Sequence, residues 1–441
     1  MPAKPALHPD QLKEYFLKGC KKPSDFAVGV EWEKIGIDRN TGNAIPYSGP
    51  RGVKAILDGL VKHYGWQVAL SSPEGLPIAL KKGETHITLE PGGQIELSGA
   101  KARNIAQNAR ELFSHLTEIK EISCPLDIVW LGLGAQPFSI AGDIEWVPKT
   151  RYQIMRERLF QKGSRTFSMM KETASVQISV DYSSEEDAAE KFRLAMALSP
   201  FLTAIFANSP LEEGKISNFL SRRADIWRHT APERSGILWE AFRPDFSFQH
   251  YVNYALAVPL LFIQRGGQWI QTDEIPFRQF LESGWKEYDA EPADWELHLS
   301  SIFTEARFKN YLEIRSIDCQ STPLGLSAVA FIKGIFYNVD ARAMAWRLLK
   351  DVSLGDRKRL FAEVAKTALK TPFQGYALLE PCRELVRIAR EGLEDQEKAY
   401  LIPIEILLDS KHSPADRILE WVGKNETRDQ RLRTVIHFCA I

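Results

Sequence analysis

Residues 86–98, HITLEPGGQIELS, alternate between apolar and polar side chains on both sides of a Pro-Gly-Gly tripeptide. A period of two is typical of a β-strand with one buried face. Glu90 and Glu96 belong to the polar set, and residues 91–93 form either a bulge or a hairpin turn between the two halves. In both arrangements we expect the two glutamates to lie on one polar face. The apolar set is Ile87, Leu89, Ile95 and Leu97.

Working outward, the segment 26–33 shows the same alternation, with its apolar residues on even positions. Glu31 and Glu33 therefore share the opposite, polar face of a predicted strand. The segment 127–135, DIVWLGLGA, is almost entirely apolar and predicts a buried strand without a polar face.

Two later segments complete the set of predicted strands. In 173–181 the alternate polar positions include Gln177, and in 311–318 they include Glu313 and Arg315. A polar face bearing acidic, amide and guanidinium groups thus recurs in strands that lie far apart in the chain.

Helical patterns separate these strands without a regular βαβ alternation. The mixture predicts an α+β fold, in which a curved, mainly antiparallel sheet keeps a polar catalytic face and helices cover its other face. We expect one catalytic domain over residues 1–441, of which 350–441 form a helical C-terminal part. The predicted helices are 51–64, 101–122, 184–207, 323–350, 356–370, 380–397 and 411–423.

The composition excludes several classes of protein. The 56 Lys and Arg residues balance 57 Asp and Glu residues, so the chain lacks the basic surface of a nucleic-acid binder. Five isolated cysteines form no CxxC pair, which argues against a disulfide scaffold or a zinc site. No apolar run is long enough to cross a membrane, and residues 1–11 resemble neither a signal peptide nor a transit peptide. We therefore expect a cytoplasmic protein that binds neither nucleic acid nor membrane.

The predicted polar face gathers five carboxylates, whose mutual repulsion opposes joint ionisation unless cations intervene. Carboxylate oxygens favour hard ions such as Mg²⁺ or Mn²⁺, which also bind nucleotide phosphates. Arg315 is placed to stabilise charge on a transferred phosphoryl group. Arg222 and Arg223 are interpreted as surface charges unless a substrate carboxylate is bound, which a guanidinium grips bidentately. By contrast, Met169-Met170 and the tryptophans are interpreted as packing residues. The five carboxylates are Glu31, Glu33, Glu90, Glu96 and Glu313.

Common nucleotide-binding and hydrolase motifs are missing. The chain contains no GxxxxGK[ST], HExxH or GxSxG motif, and the glycines of 132–137 lack the third glycine of a dinucleotide fingerprint.

Several ordered blocks nevertheless resemble the plant-type glutamate–cysteine ligase family, which also has bacterial members. The most specific is LEPGGQIELSG (89–99), and SRRADIW (221–227) is moderately specific. The resemblance implies an ATP-dependent ligase that joins the γ-carboxylate of glutamate to the amine of cysteine, on a fold related to glutamine synthetase. Further matching blocks are GVEWEKIGI (29–37), IPYSGPRG (45–52), VPKTRYQIM (147–155), MMKETASVQISVDY (169–182), FANSP (206–210) and YLEIRSID (311–318).

The resemblance also implies roles for single residues. The five glutamates correspond to metal and phosphate ligands of the family, Arg315 and Glu313 to catalytic residues, and Gln177, Arg223 and Tyr47 to substrate-binding residues. Trp32 replaces the histidine that is common between the first two glutamates of the family, but it points to the apolar face. The cofactors expected are ATP and Mg²⁺ or Mn²⁺, and the expected state is a monomer or homodimer.

The expected mechanism is a two-step acyl transfer through a γ-glutamyl phosphate, with 45–52 and 211–236 as candidate covers that exclude water. Three other functions stay open at this point. A related ligase with a different amine acceptor retains the same glutamates. A glycoside hydrolase uses two carboxylates for acid–base chemistry. The third alternative is a non-catalytic metal-binding module.

Overall fold

The computed structural model describes residues 7–423 and 426–441. Nine strands in this part of the chain form one sheet. They are β1 (Val28–Asp38), β2 (Gln67–Ser71), β3 (Pro77–Lys82), β4 (Thr85–Leu89), β5 (Ile95–Ser98), β6 (Ile128–Leu131), β7 (Ser175–Val180), β8 (Ala306–Phe308) and β9 (Leu312–Asp318).

Helices surround this sheet. They are α1 (Pro9–Leu17), α2 (Val53–Tyr64), α3 (Ile105–Ser123), α4 (Thr150–Leu159), α5 (Thr166–Glu172), α6 (Glu185–Ile205), α7 (Arg222–Arg228), α8 (Phe248–Ala257), α9 (Phe277–Ser283), α10 (Pro292–Leu299), α11 (Thr322–Tyr337), α12 (Val339–Leu349), α13 (Leu354–Thr367), α14 (Leu379–Glu391), α15 (Ile402–Asp409), α16 (Pro414–Trp421) and α17 (Arg428–Cys439). Short two-stranded pairs join Leu211–Glu212 to Lys215–Ile216, Ser235–Gly236 to Phe303–Thr304, Phe262–Arg265 to Gln268–Gln271, and Pro372–Phe373 to Tyr376–Ala377.

The strand order in the sheet is β8-β9-β7-β1-β5-β4-β3-β2, and β6 also pairs with β1. Every pairing in this sheet is antiparallel. Strand β1 is central because its first half lies between β5 and β7, while its second half pairs with β6. The α+β class and the mainly antiparallel sheet are therefore confirmed.

The Pro-Gly-Gly tripeptide is a hairpin turn rather than a bulge. The Glu90 amide donates to the carbonyl of Gln94 (3.0 Å), and the Gly93 amide donates to the carbonyl of Glu90 (2.9 Å). Gly93 has a φ of +84°, which favours glycine, and a Cβ on Gly92 would lie 2.4 Å from the carbonyl oxygen of Lys171. Both glycines are thus required by the close packing of this turn.

Helices α2, α3, α6 and α11 contact the sheet or one another in the main apolar cluster, which extends from Leu7 to Leu408. The predicted helix 323–350 is two helices, because the chain bends by 95° between α11 and α12. In the described residues, no single helix is long and apolar enough to span a bilayer; only this bent pair passes such a test, by length and composition. The single domain over 1–441 stays a prediction, and residues 1–6 and 424–425 lie outside the described range.

Trp32 lies on the face of β1 opposite the glutamates and packs against Gly325 of α11. A Cβ on Gly325 would lie 2.5 Å from the indole ring, closer than any ordinary contact. We predict that Gly325→Ala lowers the free energy of unfolding by about 1–3 kcal/mol, because a packed core resists added volume. Urea unfolding followed by circular dichroism measures this change.

Gly355→Ala in α13 is the matched control, because the nearest atom to its added Cβ is 3.8 Å away. The free energy of unfolding of this variant should be unchanged or slightly higher, because alanine has a higher helix propensity than glycine. Equal effects of the two substitutions would contradict the packing account.

Candidate active site

Four of the predicted glutamates lie together on the polar face of the sheet. Glu31 and Glu33 come from β1, and Glu33 lies directly opposite Glu96 of β5. Glu90 directly follows β4, the strand next to β5, and begins the hairpin turn, so the turn brings it to the same face. Residues far apart in sequence converge here because β1 and β5 are adjacent strands.

The four glutamates line a cavity of about 360 Å³, which lies within the size range of small-molecule sites. Strands of the sheet and the helices α4, α5 and α7 supply most of its lining. Besides these glutamates, the lining comprises Thr88, Pro91, Lys149, Arg151, Tyr152, Met155, Met169, Met170, Thr173, Ser175, Gln177, Arg223, Trp227, Ser300, Phe303, Arg307, Lys309 and Arg315.

Three of the glutamates have the geometry of a cation site. One carboxylate oxygen from each of Glu33, Glu90 and Glu96 lies within 4.8 Å of the others. Burial, together with repulsion from neighbouring carboxylates, raises the pKa of Glu31 and of Glu90 to about 8. Burial and the charge of Glu96 also raise the pKa of Glu33. An all-carboxylate donor set of this kind fits a hard divalent cation such as Mg²⁺.

Hydrogen bonds fix the orientation of Glu33 in this group. The Ser175 amide donates to Glu33 Oε2 (2.6 Å), and Gln177 Nε2 donates to Glu33 Oε1 (2.8 Å). Arg315 Nη1 donates in turn to Gln177 Oε1. Gln177 therefore links the carboxylates to the cationic part of the cavity.

Glu313 occupies a different place from the predicted one. It is fully buried behind the cavity lining, where its carboxylate pairs with Arg307 (2.5 Å), Arg315 (2.9 Å) and Lys309 (3.0 Å). Although burial acts in the opposite direction, these three cations hold the pKa of Glu313 well below its usual range. Because both oxygens are engaged by cations, Glu313 stands apart from the group of three carboxylates, and its role as a metal ligand stays a prediction. Glu313 holds the three cations at the cavity wall.

Arg223 lines the cavity beside Arg315. Its Nη2 donates to the carbonyl of Arg315 (2.8 Å), and its Nη1 lies 3.9 Å from Asp318 Oδ1. The segment 211–236 thus supplies Arg223 and Trp227 to the cavity, and its role as a cover stays a prediction. The segment 45–52 supplies no lining residue.

Tyr47 is also a correction. Its side chain is buried in the apolar core, and its hydroxyl donates to the carbonyl of Pro77 (3.0 Å). It does not line the cavity, so the structure gives no support to the predicted substrate contact. The tyrosine belongs to the packing between the loop before α2 and strand β3.

Comparisons with known proteins identify the family. Residues 27–437 match the model of glutamate–cysteine ligase family 2. A chloroplastic glutamate–cysteine ligase B from Oryza sativa subsp. japonica is 37% identical over 431 residues, covering 96% of this chain and 85% of the relative. The chloroplastic glutamate–cysteine ligase of Arabidopsis thaliana is 36% identical over 417 residues, covering 93% and 79%.

The chain belongs to glutamate–cysteine ligase family 2. Membership confirms the predicted enzyme class and the predicted reaction, the synthesis of γ-glutamylcysteine. It also removes the glycoside hydrolase and the metal-binding module as alternatives. A crystal structure of glutamate–cysteine ligase from Francisella tularensis in complex with AMP shares the fold, with a TM-score of 0.58, 13% identity and coverage of 94% of this chain and 89% of that one.

The predicted cytoplasmic location is wrong. The relatives from Oryza sativa, Arabidopsis thaliana and Solanum lycopersicum are named chloroplastic, and this finding contradicts the prediction. The prediction relied on the character of the first residues, of which 1–6 lie outside the described part of the structure.

Several cationic lining residues of this family 2 ligase are missed by the sequence reasoning. Lys149 and Arg151 lie at the start of α4, and Arg307 and Lys309 belong to the hairpin formed by β8 and β9. A signal for the first pair existed, since VPKTRYQIM (147–155) is one of the blocks that resemble the family. The second pair follows from the register, because Arg307 lies opposite Glu313.

The raised pKa values give a pH-dependent prediction for the metal-free ligase. Between about pH 5 and pH 8 the folded protein retains protons on Glu31 and Glu90 that the unfolded chain releases, so rising pH removes stability through this window. Glu96→Gln removes one repelling charge. We expect it to raise the free energy of unfolding in EDTA by about 1 kcal/mol or more, with a gain that grows from pH 7 to pH 8.

The measurement is thermal unfolding of both proteins with and without Mg²⁺. Mg²⁺ should stabilise the unsubstituted protein more at pH 8 than at pH 7, and should stabilise Glu96→Gln much less. Glu84→Gln, an exposed position in the turn before β4, is the control and should behave like the unsubstituted protein. Equal stabilisation of Glu96→Gln and of the unsubstituted protein by Mg²⁺ would show that the ion binds at another site.

Proposed function

We propose that the glutamate-lined cavity carries out the ATP-dependent joining of the glutamate γ-carboxylate to the amine of cysteine. The observation that supports this assignment is the meeting, in one cavity, of a carboxylate group suited to Mg²⁺ and a cationic group suited to phosphate. A reaction that combines a triphosphate with an amino acid requires both the carboxylate group and the cationic group.

Mg²⁺ would be held by Glu33, Glu90 and Glu96, with Glu31 adjacent on the same face. When bound, it would neutralise charge on the ATP phosphates. The chemistry of the donor residues supports a Mg²⁺ site, because carboxylates with raised pKa values are stabilised most in their charged form by a neutralising cation.

In the first step an oxygen of the glutamate γ-carboxylate attacks the γ-phosphorus of ATP. The bond from this phosphorus to the β–γ bridging oxygen breaks, and ADP leaves with the electron pair. Arg315, Arg307 and Lys309 face the cavity and would stabilise the negative charge that spreads over the transferred group. Glu313 would hold these cations in place before the substrate binds.

In the second step the neutral amine of cysteine attacks the carbonyl carbon of the γ-glutamyl phosphate. A C–N bond forms, the C–O bond to phosphate breaks, and the amine releases one proton, so that the products are γ-glutamylcysteine and inorganic phosphate. Arg223 lines the cavity, and its planar guanidinium would bind a substrate carboxylate. The helices α4, α5 and α7 shield the intermediate from water.

The experiment is a coupled assay of ADP release with glutamate, ATP and Mg²⁺, followed by mass identification of the product. We expect release to require both glutamate and an amine, with cysteine as the best acceptor. Equal rates with every amine tested would favour a ligase that uses a different acceptor. ADP release without peptide product would contradict the ligase assignment.

Arg315→Gln tests the proposed stabilisation of the transferred phosphoryl group. We expect kcat to fall about 10³-fold, as when a cation is removed from a phosphoryl-transfer site, while the Kd for glutamate changes little. Arg387→Gln, on the exposed side of α14, is the matched control and should retain full activity. A rise in KM for glutamate with unchanged kcat would instead make Arg315 a substrate-binding residue.

A further inference from the structure

A second, much smaller cavity adjoins the catalytic cavity, and we call it the side cavity. Its volume is about 10 Å³, which is room for about one water molecule. Glu305 supplies the carboxylate of its lining, and this carboxylate has no role in the chemistry described above. The residues that line both cavities are Arg223, Trp227, Phe303 and Arg315.

The backbone places Glu305 beside Arg315. Glu305 directly precedes β8, and the amide of Arg315 donates to its carbonyl oxygen (3.0 Å). The amide of Glu305 donates to the carbonyl of Gly236, at the end of the segment 211–236 (2.9 Å). Two backbone hydrogen bonds thus fix residue 305 between the strand that carries Arg315 and the segment that carries Arg223.

The carboxylate of Glu305 is only partly engaged. The hydroxyl of Ser316 donates to Oε2 (2.6 Å), and Oε1 accepts no hydrogen bond from the described part of the chain. The neighbouring guanidinium groups pair with other carboxylates, Arg223 with Asp318 and Arg315 with Glu313. Glu305 therefore retains an oxygen that can accept a proton.

Burial raises the pKa of Glu305, although the hydroxyl of Ser316 and the charges of Arg223 and Arg315 act in the opposite direction. A carboxylate with a raised pKa holds a transferred proton more firmly, and this makes it a better general base near neutral pH. The environment of Glu305 thus favours proton transfer over a permanent ion pair.

The second step of the proposed reaction needs such a group. The amine nitrogen becomes positively charged as it attacks the carbonyl carbon, and it must then lose a proton. Glu33, Glu90 and Glu96 have the geometry of a cation site, and three cations engage Glu313. Glu305 is a carboxylate next to Arg315 that belongs to neither arrangement.

We infer that Glu305 accepts the proton of the acceptor amine in the second step, through one water molecule in the side cavity. This inference rests on the proposed function and deepens it. The C–N bond forms, and phosphate leaves with the electron pair of the C–O bond. The nitrogen passes its proton to the water, which gives one of its own to Oε1 of Glu305. The departing phosphate or the solvent then removes this proton and restores the carboxylate.

The side cavity also explains how a base and a triphosphate share one site. A carboxylate in direct contact with the phosphates would repel them. Arg223 and Arg315 belong to the wall that the two cavities share, so two positive charges accompany Glu305 at this boundary. A water relay lets the carboxylate act on the amine without contacting the phosphates.

Glu305→Gln keeps the shape of the side chain and removes its basicity. We expect kcat for γ-glutamylcysteine to fall about 10²-fold or more, with little change in KM for glutamate or ATP. Because the first step needs no base, rapid-quench measurements should show a stoichiometric burst of ADP before slow peptide formation. Glu282→Gln, at an exposed position of α9, is the matched control and should retain full activity.

Ser316→Ala is the second variant, and it tests the same role if Glu305→Gln does not fold. It removes a hydrogen bond that lowers the pKa of Glu305. At saturating cysteine, the acidic limb of the kcat–pH profile should move to higher pH in Ser316→Ala and disappear in Glu305→Gln. Arg223 and Arg315 are the charged groups beside Glu305, and neither is altered in these variants.

The outcomes separate this inference from the proposed function. If the unsubstituted enzyme forms no γ-glutamyl product, the proposed function fails. If it forms the product, a near-normal kcat in Glu305→Gln, or a low kcat without the ADP burst, would overturn the inference. An unmoved acidic limb in folded Ser316→Ala would do the same. Loss of that limb in Lys149→Met but not in Glu305→Gln would assign the proton to Lys149 instead.

Discussion

Repulsion among four carboxylates, two of them buried and two half-buried, on one face of the sheet is the central constraint on this protein. Glu31, Glu33, Glu90 and Glu96 share one face, and a folded chain tolerates them by retaining protons or by binding cations. The remainder of the cavity is arranged around this constraint. The cations of the hairpin formed by β8 and β9 lie on the far side of β7 from β1, and Glu313 neutralises part of their charge there.

The period-two patterns predicted much of the fold because the alternation of side chains along a strand is a local property of the sequence. Whether Glu31 faces the same way as Glu33 depends only on their spacing, and the turn glycines mark the end of a strand without reference to the rest of the chain. The antiparallel sheet and the common face of these glutamates follow from such local signals. The division of 323–350 into two helices did not follow, since both halves have helical patterns and tertiary packing sets the bend.

Long-range geometry explains the residues that were missed or misplaced. Glu313 alternates correctly within its strand, but the pairing of Arg307 opposite it is a property of register between two strands. Lys149 lies at the start of α4, and the direction of that helix depends on its tertiary contacts. Tyr47 is buried in the core, where its hydroxyl donates to the carbonyl of Pro77. The methionines look like packing residues in sequence because an apolar cavity wall and an apolar core have the same composition.

The hairpin turn at Pro91-Gly92-Gly93 has a consequence for how this region tolerates change in length. Because strand faces alternate residue by residue, one inserted or deleted residue between Glu90 and Glu96 would rotate the second glutamate toward the helices or force β5 to slip along β1. Exposed turns elsewhere in a protein usually accept such changes. The length of this turn instead sets the separation of two carboxylates on the polar face. Its length is therefore constrained more tightly than the chemistry of its side chains.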